Sequence, residues 1–234
     1  MNKLVSIIIP IRRGENIDRL LRSVQNSTYK DTEVIVVDEG LERSRQRNIG
    51  IKRSSGQYLL FADSDWELAP DLIDKCVKQI SFVDALYIPE VIKTRGIFAR
   101  IRNWERKFYT TTAIDVVRFI RRKDCPLFDE SMSGPEDSAW DRRVSPLRRT
   151  VNSCYYHYDN IGIWEYFKKK SYYAKSMPRF AQKWRNDKIL NWRWRCFRVF
   201  FEDGKYREFL RNPLMAVCVF SMIFVRGVIY LNRR

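Results

Sequence analysis

The amino-terminal half of the sequence alternates short apolar runs with polar segments of helical composition. The apolar runs are residues 5–9, 34–37 and 58–62, and the polar segments lie around 16–25 and 42–53. Apolar runs of this length, rich in β-branched or aromatic residues, are typical of strands in a parallel sheet that is buried on both faces. The alternation therefore predicts a βαβαβ unit and an α/β fold.

Each of these apolar runs ends at a polar or turn-forming residue, namely Pro10, Asp38 and Asp63. Ligands of open α/β sheets bind in the crevice outside the carboxyl ends of the strands. We therefore expect a ligand site at this edge of the sheet. The other predicted elements of this domain are strands near 85–88 and 151–156 and helices at 70–80 and 136–144.

An acidic pair, Asp63 and Asp65, follows the third apolar run and is separated only by Ser64. Both carboxylates can project from the strand end toward one point. Mg²⁺ and Mn²⁺ prefer such oxygen ligands, and a cation there would bridge to a diphosphate and neutralise charge on a departing nucleotide. Two acids at this spacing are more often solvated or cap the next helix, so the spacing alone is weak evidence. The position of this pair at the end of a strand favours the metal site.

The chain carries 44 Lys and Arg residues against 28 Asp and Glu residues, a formal net charge of +16. This excess points to nucleic acid, a phosphate-bearing substrate or an anionic lipid surface as partner. The five cysteines have no C-x-x-C spacing, which indicates a reducing, cytosolic environment rather than a zinc knuckle or disulfide framework. The apolar start at 4–11 suits a buried strand better than a signal peptide.

Residues 165–211 carry fourteen Lys or Arg against five acids and are interleaved with aromatic residues. Leu190, Trp194, Phe197 and Phe201 have helical spacing and share one predicted face. The segment predicts basic amphipathic helices at a membrane interface. The alternative is a basic helix that packs its aromatic face on the core.

The last apolar segment, 213–231, is nineteen residues long and contains a single charge, at Arg226. A helix of this length spans ~28 Å, about the hydrocarbon thickness of a bilayer. Arg226 would cost ~2.5–3.5 kcal/mol at the bilayer centre but lies near enough to the end to snorkel. We expect a short transmembrane or membrane-inserted helix, with a buried or surface-lying helix as the alternative. The predicted domains are 1–160, 161–211 and 212–234.

Five motifs, in order, resemble those of the family 2 glycosyltransferases. They are VSIIIP at 5–10, EVIVVD at 33–38, ERSRQRNIG at 42–50, GQYLLFADSD at 56–65 and GPED at 134–137. The resemblance covers roughly residues 4–160 and implies inverting sugar transfer on a GT-A fold, a Rossmann-like mixed sheet flanked by helices. The basic segment and terminal helix resemble those of cellulose-synthase-like and archaeal lipid-dependent members.

The resemblance implies a donor site made of six residues: Pro10, Asp38, Arg43, Arg47, Asn48 and Asp63. Asp38 matches the acid that holds the nucleotide base, and Pro10 belongs to the first motif. Arg43, Arg47 and Asn48 match the segment that lines the donor site, where guanidinium groups would pair with phosphate oxygens. On the residues alone, Asp38 could instead cap a helix and either arginine could be solvated.

The resemblance also implies a metal site for Mn²⁺ or Mg²⁺ and a catalytic base. Asp65 is the expected principal metal ligand, while Asp63 contacts ribose, metal or both. His157, the only histidine, would complete the metal site or touch the diphosphate, unless it is simply packed. Asp137, with Glu136 beside it, matches the motif that carries the base, which takes the acceptor proton in inverting transfer. Acids favoured by a helix dipole are the alternative.

Two further segments are predicted to contact the acceptor. Trp104 and Glu105 fall where the acceptor region would be, although core packing is equally compatible with Trp104. Gln182 and Arg185 resemble part of the Q-x-x-R-W motif of processive enzymes. Asn186 replaces the final Trp of that motif, which argues against processivity.

The expected function is transfer of mannose from GDP-mannose to a lipid-linked saccharide, by a membrane-attached enzyme with its catalytic domain on the cytoplasmic face. A polyprenyl- or dolichyl-phosphate sugar synthase that uses a UDP- or GDP-sugar is the close alternative, and it would need no base. A membrane scaffold with an inactive catalytic domain is another. A nucleic-acid-binding protein that uses residues 184–198 would explain the charge. It leaves the acidic cluster and apolar tail unexplained, so we expect no nucleic-acid partner.

Overall fold

The computed structural model describes residues 3–93, 96–132, 134–158, 162–174 and 176–231. The chain forms two compact units. Unit 1 comprises Met1–Lys93 and Val116–Asp159, and unit 2 comprises Thr94–Asp115 and Asn160–Arg234. This division differs from the three predicted domains because an internal segment groups with the carboxyl-terminal part. The predicted boundary at 160 and 161 lies outside the described residues.

Unit 1 contains two sheets and four of the α-helices described below. Its strands are β1 (Val5–Pro10), β2 (Thr32–Val37), β3 (Tyr58–Phe61), β4 (Trp66–Leu68), β5 (Ala85–Tyr87), β6 (Glu90–Ile92), β7 (Phe119–Arg121), β8 (Arg148–Thr150) and β9 (Tyr155–His157). The helices of the whole chain are α1 (Asp18–Gln25), α2 (Arg43–Arg53), α3 (Leu72–Gln79), α4 (Ile97–Arg106), α5 (Glu136–Asp141), α6 (Ile163–Ala174), α7 (Met177–Lys183), α8 (Trp192–Cys196), α9 (Tyr206–Arg211) and α10 (Pro213–Leu231).

The larger sheet has six strands in the order β2-β1-β3-β7-β5-β8. Strand β1 is parallel to β2 and β3, as the βαβαβ pattern predicts, and it is buried along its whole length. Strand β7 runs antiparallel to β3 and β5, so the sheet is mixed. The start of β7 consequently lies at the same edge as the carboxyl ends of β1 and β3.

The smaller sheet has three strands in the order β4-β9-β6. Strand β9 is antiparallel to β4, which places His157 opposite Trp66, and parallel to β6. The Trp66 and Tyr155 rings stack with their centroids 3.5 Å apart. This sheet fixes the backbone on both sides of Asp65, which immediately precedes β4.

Helix α2 packs closely on β1 through Gly50. A Cβ atom added at Gly50 would lie 2.3 Å from Cγ2 of Ile8. No real side chain tolerates such a distance, so the helix and strand can approach this closely only with glycine there. The close approach sets the position of Arg47 and Asn48, one helical turn before Gly50.

Unit 2 is helical and has its own aromatic core. Trp104 and Phe108, from the first segment of the unit, pack against Phe200 and Phe209 from the second. Ring centroids in this cluster lie about 5 Å apart in edge-on or tilted arrangements, for example 4.8 Å between Trp104 and Phe108. These contacts explain why residues 94–115 belong to this unit.

Helix α10 has the bounds predicted for the carboxyl-terminal helix. One face, which includes Ala216, Val219 and Ile223, is buried in the unit 2 core. Arg226 on the same side is paired with buried Glu105 and donates to the Tyr166 hydroxyl at 3.1 Å. The assignment of this helix as a transmembrane segment is therefore corrected, because its buried face packs in the unit 2 core and the charge of Arg226 is paired within unit 2.

Among the described residues, no helix combines the length and the apolar character needed to cross a membrane.

The prediction that Leu190, Trp194, Phe197 and Phe201 share one helix is wrong. Asn191 caps the short helix α8 by accepting from the Trp194 amide at 3.1 Å, and α8 ends at Cys196. Short 3-10 turns follow. Trp194 is buried, whereas Phe197 and Phe201 are exposed. The segment is therefore a series of short helical turns. Local caps start new turns where the residue spacing predicts one continuous helix.

Candidate functional site

A buried arginine, Arg47, lies at the carboxyl-terminal edge of the larger sheet and contacts three carboxylates. Its side chain is only 1% exposed. Its Nη2 lies 3.2 Å from Oδ1 of Asp63, its Nη1 pairs with Asp137, and Nη1 is 3.9 Å from Oε1 of Glu136. Residues predicted separately as donor, metal and base groups are thus brought together around one guanidinium.

A second arginine, Arg118, completes this cluster and was not predicted from the sequence. Its Nη2 lies 3.3 Å from Oδ2 of Asp137, and its guanidinium carbon is 5.4 Å from the centroid of the Trp66 ring. Arg118 immediately precedes β7, and its carbonyl accepts from the Phe61 amide at 2.9 Å. The signal in the sequence was a single charged residue inside the apolar run 116–120, which becomes informative only once β7 is known to be antiparallel.

The pKa values of two carboxyl groups in this cluster, Asp63 and Glu136, are shifted in opposite directions. Burial alone would raise the pKa of Asp63, but Arg47, Arg118 and Arg43 outweigh it and hold the pKa well below its usual range. Burial and the neighbouring charge of Asp137 raise the pKa of Glu136 to about 7. Asp63 is therefore a permanent anion, whereas Glu136 can exchange a proton near neutral pH.

Glu136 differs from its neighbours in hydrogen bonding as well. Its Oε2 is buried and has no hydrogen-bond partner among the described residues. A buried carboxyl oxygen without a partner is costly in a folded protein, and such groups cluster at functional sites.

A carboxylate–histidine chain holds Asp65. His157 Nε2 lies 2.9 Å from Oδ2 of Asp65, and His157 Nδ1 lies 2.5 Å from Oε1 of Glu90. Burial lowers the pKa of His157, but its hydrogen bonds to Asp65 and Glu90 outweigh burial and raise the pKa to about 9. Both ring nitrogens are engaged in this structure, so His157 positions Asp65, and its role as a metal ligand stays a prediction.

The residues present fit a divalent cation that is shared with a substrate. No three His, Cys, Asp or Glu side chains in the described ranges are grouped to hold a metal by themselves. Oδ1 of Asp65, however, is buried and has no hydrogen-bond partner within the described ranges. Mg²⁺ is usually held by one or two carboxylates while substrate phosphates and water supply the other ligands. Asp65, with Asp63 beside it, matches that pattern.

Asn48 has a structural role in this arrangement, and its contact with the donor stays a prediction. Its amide donates to the Phe128 carbonyl at 3.0 Å and to Oε1 of Glu130 at 2.8 Å, and its Oδ1 accepts from the Phe128 amide at 2.6 Å. These bonds use the donors and the acceptor of the buried amide. Asn48 therefore ties α2 to the loop that leads toward α5.

The remaining predicted donor residues lie at the same edge. Pro10 is buried at the end of β1 and pairs in register with Val37 of β2. Asp38 directly follows β2 and is exposed. Arg43 opens α2, and its Nη1 lies 3.6 Å from Oδ1 of Asp63. The structure thus leaves Asp38 accessible beside the cluster.

The predicted acceptor residues all belong to unit 2. Trp104 and Glu105 are buried in its interior, where Glu105 pairs with Arg226 and Trp104 packs on Phe108. Their predicted contact with an acceptor is therefore corrected to packing within this unit. Gln182, on α7, and Arg185 are both exposed.

Comparisons with known proteins concern the fold and part of unit 1. Residues 39–126 match the profile of the family described as Glycosyl transferase family 2. The match includes Asp63 and Asp65 and ends before Glu136 and Asp137. A comparison with curated protein sequences found no match.

Three solved structures of two proteins share the fold at low sequence identity. The mannosyltransferase PcManGT from Pyrobaculum calidifontis, in complex with GDP-Man and Mn²⁺, has a TM-score of 0.66 at 13% identity, over 98% of this chain and 86% of that chain. TarS residues 1–349 from S. aureus has a TM-score of 0.50 at 18% identity, over 74% of this chain. The match covers 64% of that TarS chain. The same TarS segment in complex with UDP also has a TM-score of 0.50, at 18% identity over 73% of this chain and 64% of that chain.

The shared fold is a mixed α/β fold of the GT-A type, and residues 39–126 are similar to the family 2 glycosyltransferase domain.

Proposed function

We propose that this protein is a metal-dependent glycosyltransferase that moves a sugar from a nucleotide-diphosphate donor to a hydroxyl group of an acceptor. The observation that carries the proposal is the cluster of Arg47, Arg118, Asp63, Asp137 and Glu136 at the carboxyl ends of the strands. Ligands of α/β sheets bind at this edge. The cluster combines buried cations with carboxylates of different proton affinity, as transfer from a diphosphate requires.

The donor would lie across the ends of β1, β2 and β3. Asp38, exposed after β2, would accept hydrogen bonds from the nucleotide base. Arg43 is half exposed and close to Asp63, so its guanidinium can turn toward phosphate oxygens. Asp65, with Asp63, would hold the divalent cation, which when bound would neutralise charge on the departing nucleoside diphosphate.

The reaction requires one proton transfer. The acceptor hydroxyl oxygen forms a bond to the anomeric carbon, the bond from that carbon to the phosphate oxygen breaks, and the nucleoside diphosphate leaves with the electron pair. A carboxylate takes the hydroxyl proton. Asp137 was the first candidate for this role, but it is engaged by Arg47 and Arg118.

Glu136 suits the role of base better in this structure. Its Oε2 is free of hydrogen bonds among the described residues, and its pKa is raised to about 7 by burial and by Asp137. A base works best when its pKa lies near the operating pH. Asp137 would then orient the two arginines and raise the proton affinity of Glu136.

The finer assignment is mannose transfer from GDP-mannose with inversion. It is supported by the fold shared with PcManGT, whose structure holds GDP-Man and Mn²⁺, and by the motifs that resemble inverting enzymes. The fold shared with TarS, which binds UDP, makes a UDP-sugar the alternative donor.

A membrane-presented, lipid-linked saccharide is the proposed acceptor. Helix α10 exposes Leu214, Val217, Phe224 and Val228, which share the face opposite its buried face; we call this the α10 apolar stripe. Fourteen Lys or Arg against five acids in residues 165–211 add positive charge to the same unit. An apolar stripe with basic surroundings suits the surface of an anionic membrane. The catalytic unit would lie on the cytoplasmic face.

Turnover of a donor panel tests this function. The purified chain is incubated with GDP-mannose, UDP-glucose or UDP-N-acetylglucosamine, with Mn²⁺ or Mg²⁺, and release of the nucleotide is measured with and without an extract of lipid-linked acceptors. We expect one donor to be used only with metal. Glu136→Gln should lower kcat by at least about 100-fold.

Asp74→Asn is the matched control, because Asp74 pairs with Lys78 on the surface of α3 at 2.6 Å, away from the cluster. This variant should keep wild-type turnover. If Glu136→Gln retains full turnover and Asp137→Asn loses it, Asp137 is the base after all. If no donor is consumed under any metal condition, the proposed function is wrong.

A further inference from the structure

Unit 1 contains a groove of about 700 Å³ at the edge of the larger sheet opposite to the proposed transfer site. Its walls come from the starts of β1 and β3 and from the end of β7, because Tyr58 pairs with Val5 on one side and with Arg121 on the other. A strand rises ~3.3 Å per residue, so β1 separates the two edges by roughly 20 Å. The proposed transfer chemistry does not use this groove.

Backbone hydrogen bonds bring three cationic residues to the groove. The Gln57 amide donates to the Leu4 carbonyl at 2.9 Å, and the Arg122 amide donates to the Gln57 carbonyl at 2.9 Å. Gln57 therefore lies between the segment that carries Lys3 and the segment that carries Arg122. Adjacent strands are ~4.8 Å apart, so these two segments are ~10 Å apart and their long side chains can span the distance. Lys3, Arg122 and Lys123 all line the groove.

Arg121 also lines the groove, but its charge is already balanced. Its Nη1 lies 3.0 Å from Oδ1 of Asp84, and its Nη2 donates to the Ile80 carbonyl at 2.8 Å. We therefore do not count Arg121 among the cations available to a ligand.

The other three cations are exposed and unpaired in the part of the chain that the structure describes. Arg122 and Lys123 make no side-chain hydrogen bond or ion pair there. Nζ of Lys3 lies 5.5 Å from the centroid of the Tyr58 ring, which is an aromatic contact and leaves its ammonium hydrogens free. These three side chains can therefore donate to an incoming anion.

Acidic side chains lie near the groove, but within the described ranges none of them lines it. Glu33 accepts from the Ser55 amide at 2.7 Å and from the Gly56 amide at 3.0 Å, so it holds the loop behind the groove. Asp31 precedes β2, and Asp124 follows the last groove cation in the chain. In these ranges none of the three acids is within ion-pair distance of a groove cation.

We propose that this groove binds a phosphate-bearing ligand through Lys3, Arg122 and Lys123. A cleft lined by charges of one sign focuses the electrostatic field and attracts ions of the opposite sign. The fork of donors on a guanidinium matches two phosphate oxygens, and an ammonium adds a compact charge. A phosphate monoester brings nearly two negative charges at neutral pH, whereas a carboxylate brings one. The groove therefore favours phosphate over carboxylate.

The size of the groove limits the ligand. Small-molecule sites in proteins have volumes of ~300–1,000 Å³, and this groove falls in that range. The phosphate group can belong to a soluble phosphate compound or to the headgroup of a phospholipid. The inference does not depend on the proposed transferase activity, because the groove shares no residue with that site.

Calorimetric titration of pyrophosphate and inorganic phosphate into the full chain tests the groove. A chelator is present, so that a metal-dependent nucleotide site does not contribute. The variants are Lys3→Gln and Lys123→Gln, which change exposed residues on opposite sides of the groove. Each should weaken pyrophosphate binding by about tenfold, since a hydrogen bond to a charged group contributes ~1.5–3 kcal/mol. Circular dichroism verifies that each variant is folded.

Lys52→Gln is the matched control, because Lys52 is an exposed lysine on α2 that does not line the groove. It removes the same charge and should bind pyrophosphate like the wild type. Equal weakening by Lys52→Gln and Lys123→Gln would mean that binding reflects diffuse surface charge, and the proposal would be overturned. Absence of binding of both probes to the wild type would overturn it as well.

Malonate is the control ligand, because it carries two carboxylates and no phosphate. It should bind at least about tenfold more weakly than pyrophosphate, since it lacks the phosphate oxygens that a guanidinium fork matches. Equal affinity for the two ligands would contradict the assignment of phosphate.

A vesicle experiment separates the two sources of phosphate. Sedimentation of Lys123→Gln and Lys52→Gln is compared on phosphatidylcholine vesicles with and without phosphatidate. If the groove takes a headgroup, Lys123→Gln sediments less with phosphatidate vesicles than Lys52→Gln does, and free pyrophosphate reduces the sedimentation of Lys52→Gln. If the groove takes a soluble compound, the two variants sediment equally although only Lys123→Gln has lost pyrophosphate binding. Either result supports the site and identifies the source of its ligand.

Discussion

Glu136 and Asp137 are adjacent in the chain, yet the fold gives them different chemistry. Asp137 faces Arg47 and Arg118, whereas Glu136 is buried and one of its oxygens has no hydrogen-bond partner in the part of the chain that the structure describes. The motif GPED predicted two acids at the start of a helix. It could not predict which acid meets the arginines, because Arg118 comes from an antiparallel strand that the sequence did not reveal.

The raised pKa of Glu136 predicts a pH-dependent cost to stability. Burial raises the pKa to about 7 in the folded chain, from 4.5 for an ordinary glutamate. The contribution of Glu136 to the free energy of unfolding is therefore greatest below pH 4.5, and it is lost as the pH rises through 7. Glu136→Gln should raise the free energy of unfolding by ~1–3 kcal/mol at pH 8 and leave it nearly unchanged at pH 4.

Urea denaturation of the wild type and Glu136→Gln at the two pH values measures this difference. Asp74→Asn serves as the control for loss of one carboxylate on the surface. A difference between wild type and Glu136→Gln that is the same at pH 4 and pH 8 would contradict the assigned environment of Glu136.

At the scale of elements, the strands and helices of unit 1 followed from local pattern. Strand β1 is apolar over its full length and is buried on both faces, and the residues that end β1, β2 and β3 lie at the ligand edge as expected. The antiparallel course of β7 and the three-stranded sheet did not follow, because they depend on pairing between distant segments. The single helix predicted from Leu190 to Phe201 does not form. Asp187 caps a 3-10 turn that ends at Leu190, and Asn191 caps the separate helix α8.

The packing of α2 on β1 makes a prediction about Gly50. Gly50→Ala would place a Cβ atom 2.3 Å from Cγ2 of Ile8, so the helix must move away from the strand. We expect a loss of ~1–3 kcal/mol in the free energy of unfolding, as in other overpacked cores. Since Arg47 lies one turn earlier, donor binding should weaken with it.

Gly227→Ala is the matched control, because an added Cβ there meets no atom within 4 Å and the residue lies within α10. Alanine is a better helix former than glycine, so this variant should gain up to ~1 kcal/mol. Thermal denaturation compares the two variants with the wild type. A stable Gly50→Ala chain would show that α2 does not pack on β1 as described.

At the scale of the whole molecule, net charge and exposed apolar residues are distributed unevenly along the chain. Unit 2 contains the α10 apolar stripe together with the basic segment 165–211. The sequence predicted basic and apolar character for this region, but it could not show that one face of α10 packs inside unit 2 while the opposite face stays exposed. That distinction depends on the core contacts of α10 with α4 and α9.

The α10 apolar stripe predicts binding to anionic vesicles. Leu214 is 77% and Phe224 is 73% exposed, so their replacement by Ser should leave the fold intact. The double variant should lower the fraction that sediments with phosphatidylglycerol vesicles by at least about tenfold, since each side chain contributes ~1.5–3 kcal/mol when buried. High salt should weaken the binding further.

Leu41→Ser is the control for vesicle binding, because Leu41 is equally apolar, fully exposed and located in unit 1. It should sediment like the wild type. Equal sedimentation of the stripe variant and the wild type would remove the support for membrane docking through α10.

The proposed transferase function requires a metal-dependent nucleotide site at the carboxyl ends of the strands. Calorimetric titration of GDP and of UDP into the full chain, with Mn²⁺, with Mg²⁺ or with a chelator, tests this site in wild type, Asp65→Asn and the control Asp74→Asn. We expect one nucleotide to bind only with metal and equally to wild type and Asp74→Asn, and we expect Asp65→Asn to weaken its binding at least tenfold. If neither nucleotide binds under any metal condition, or if Asp65→Asn binds as well as wild type, the proposed site is wrong.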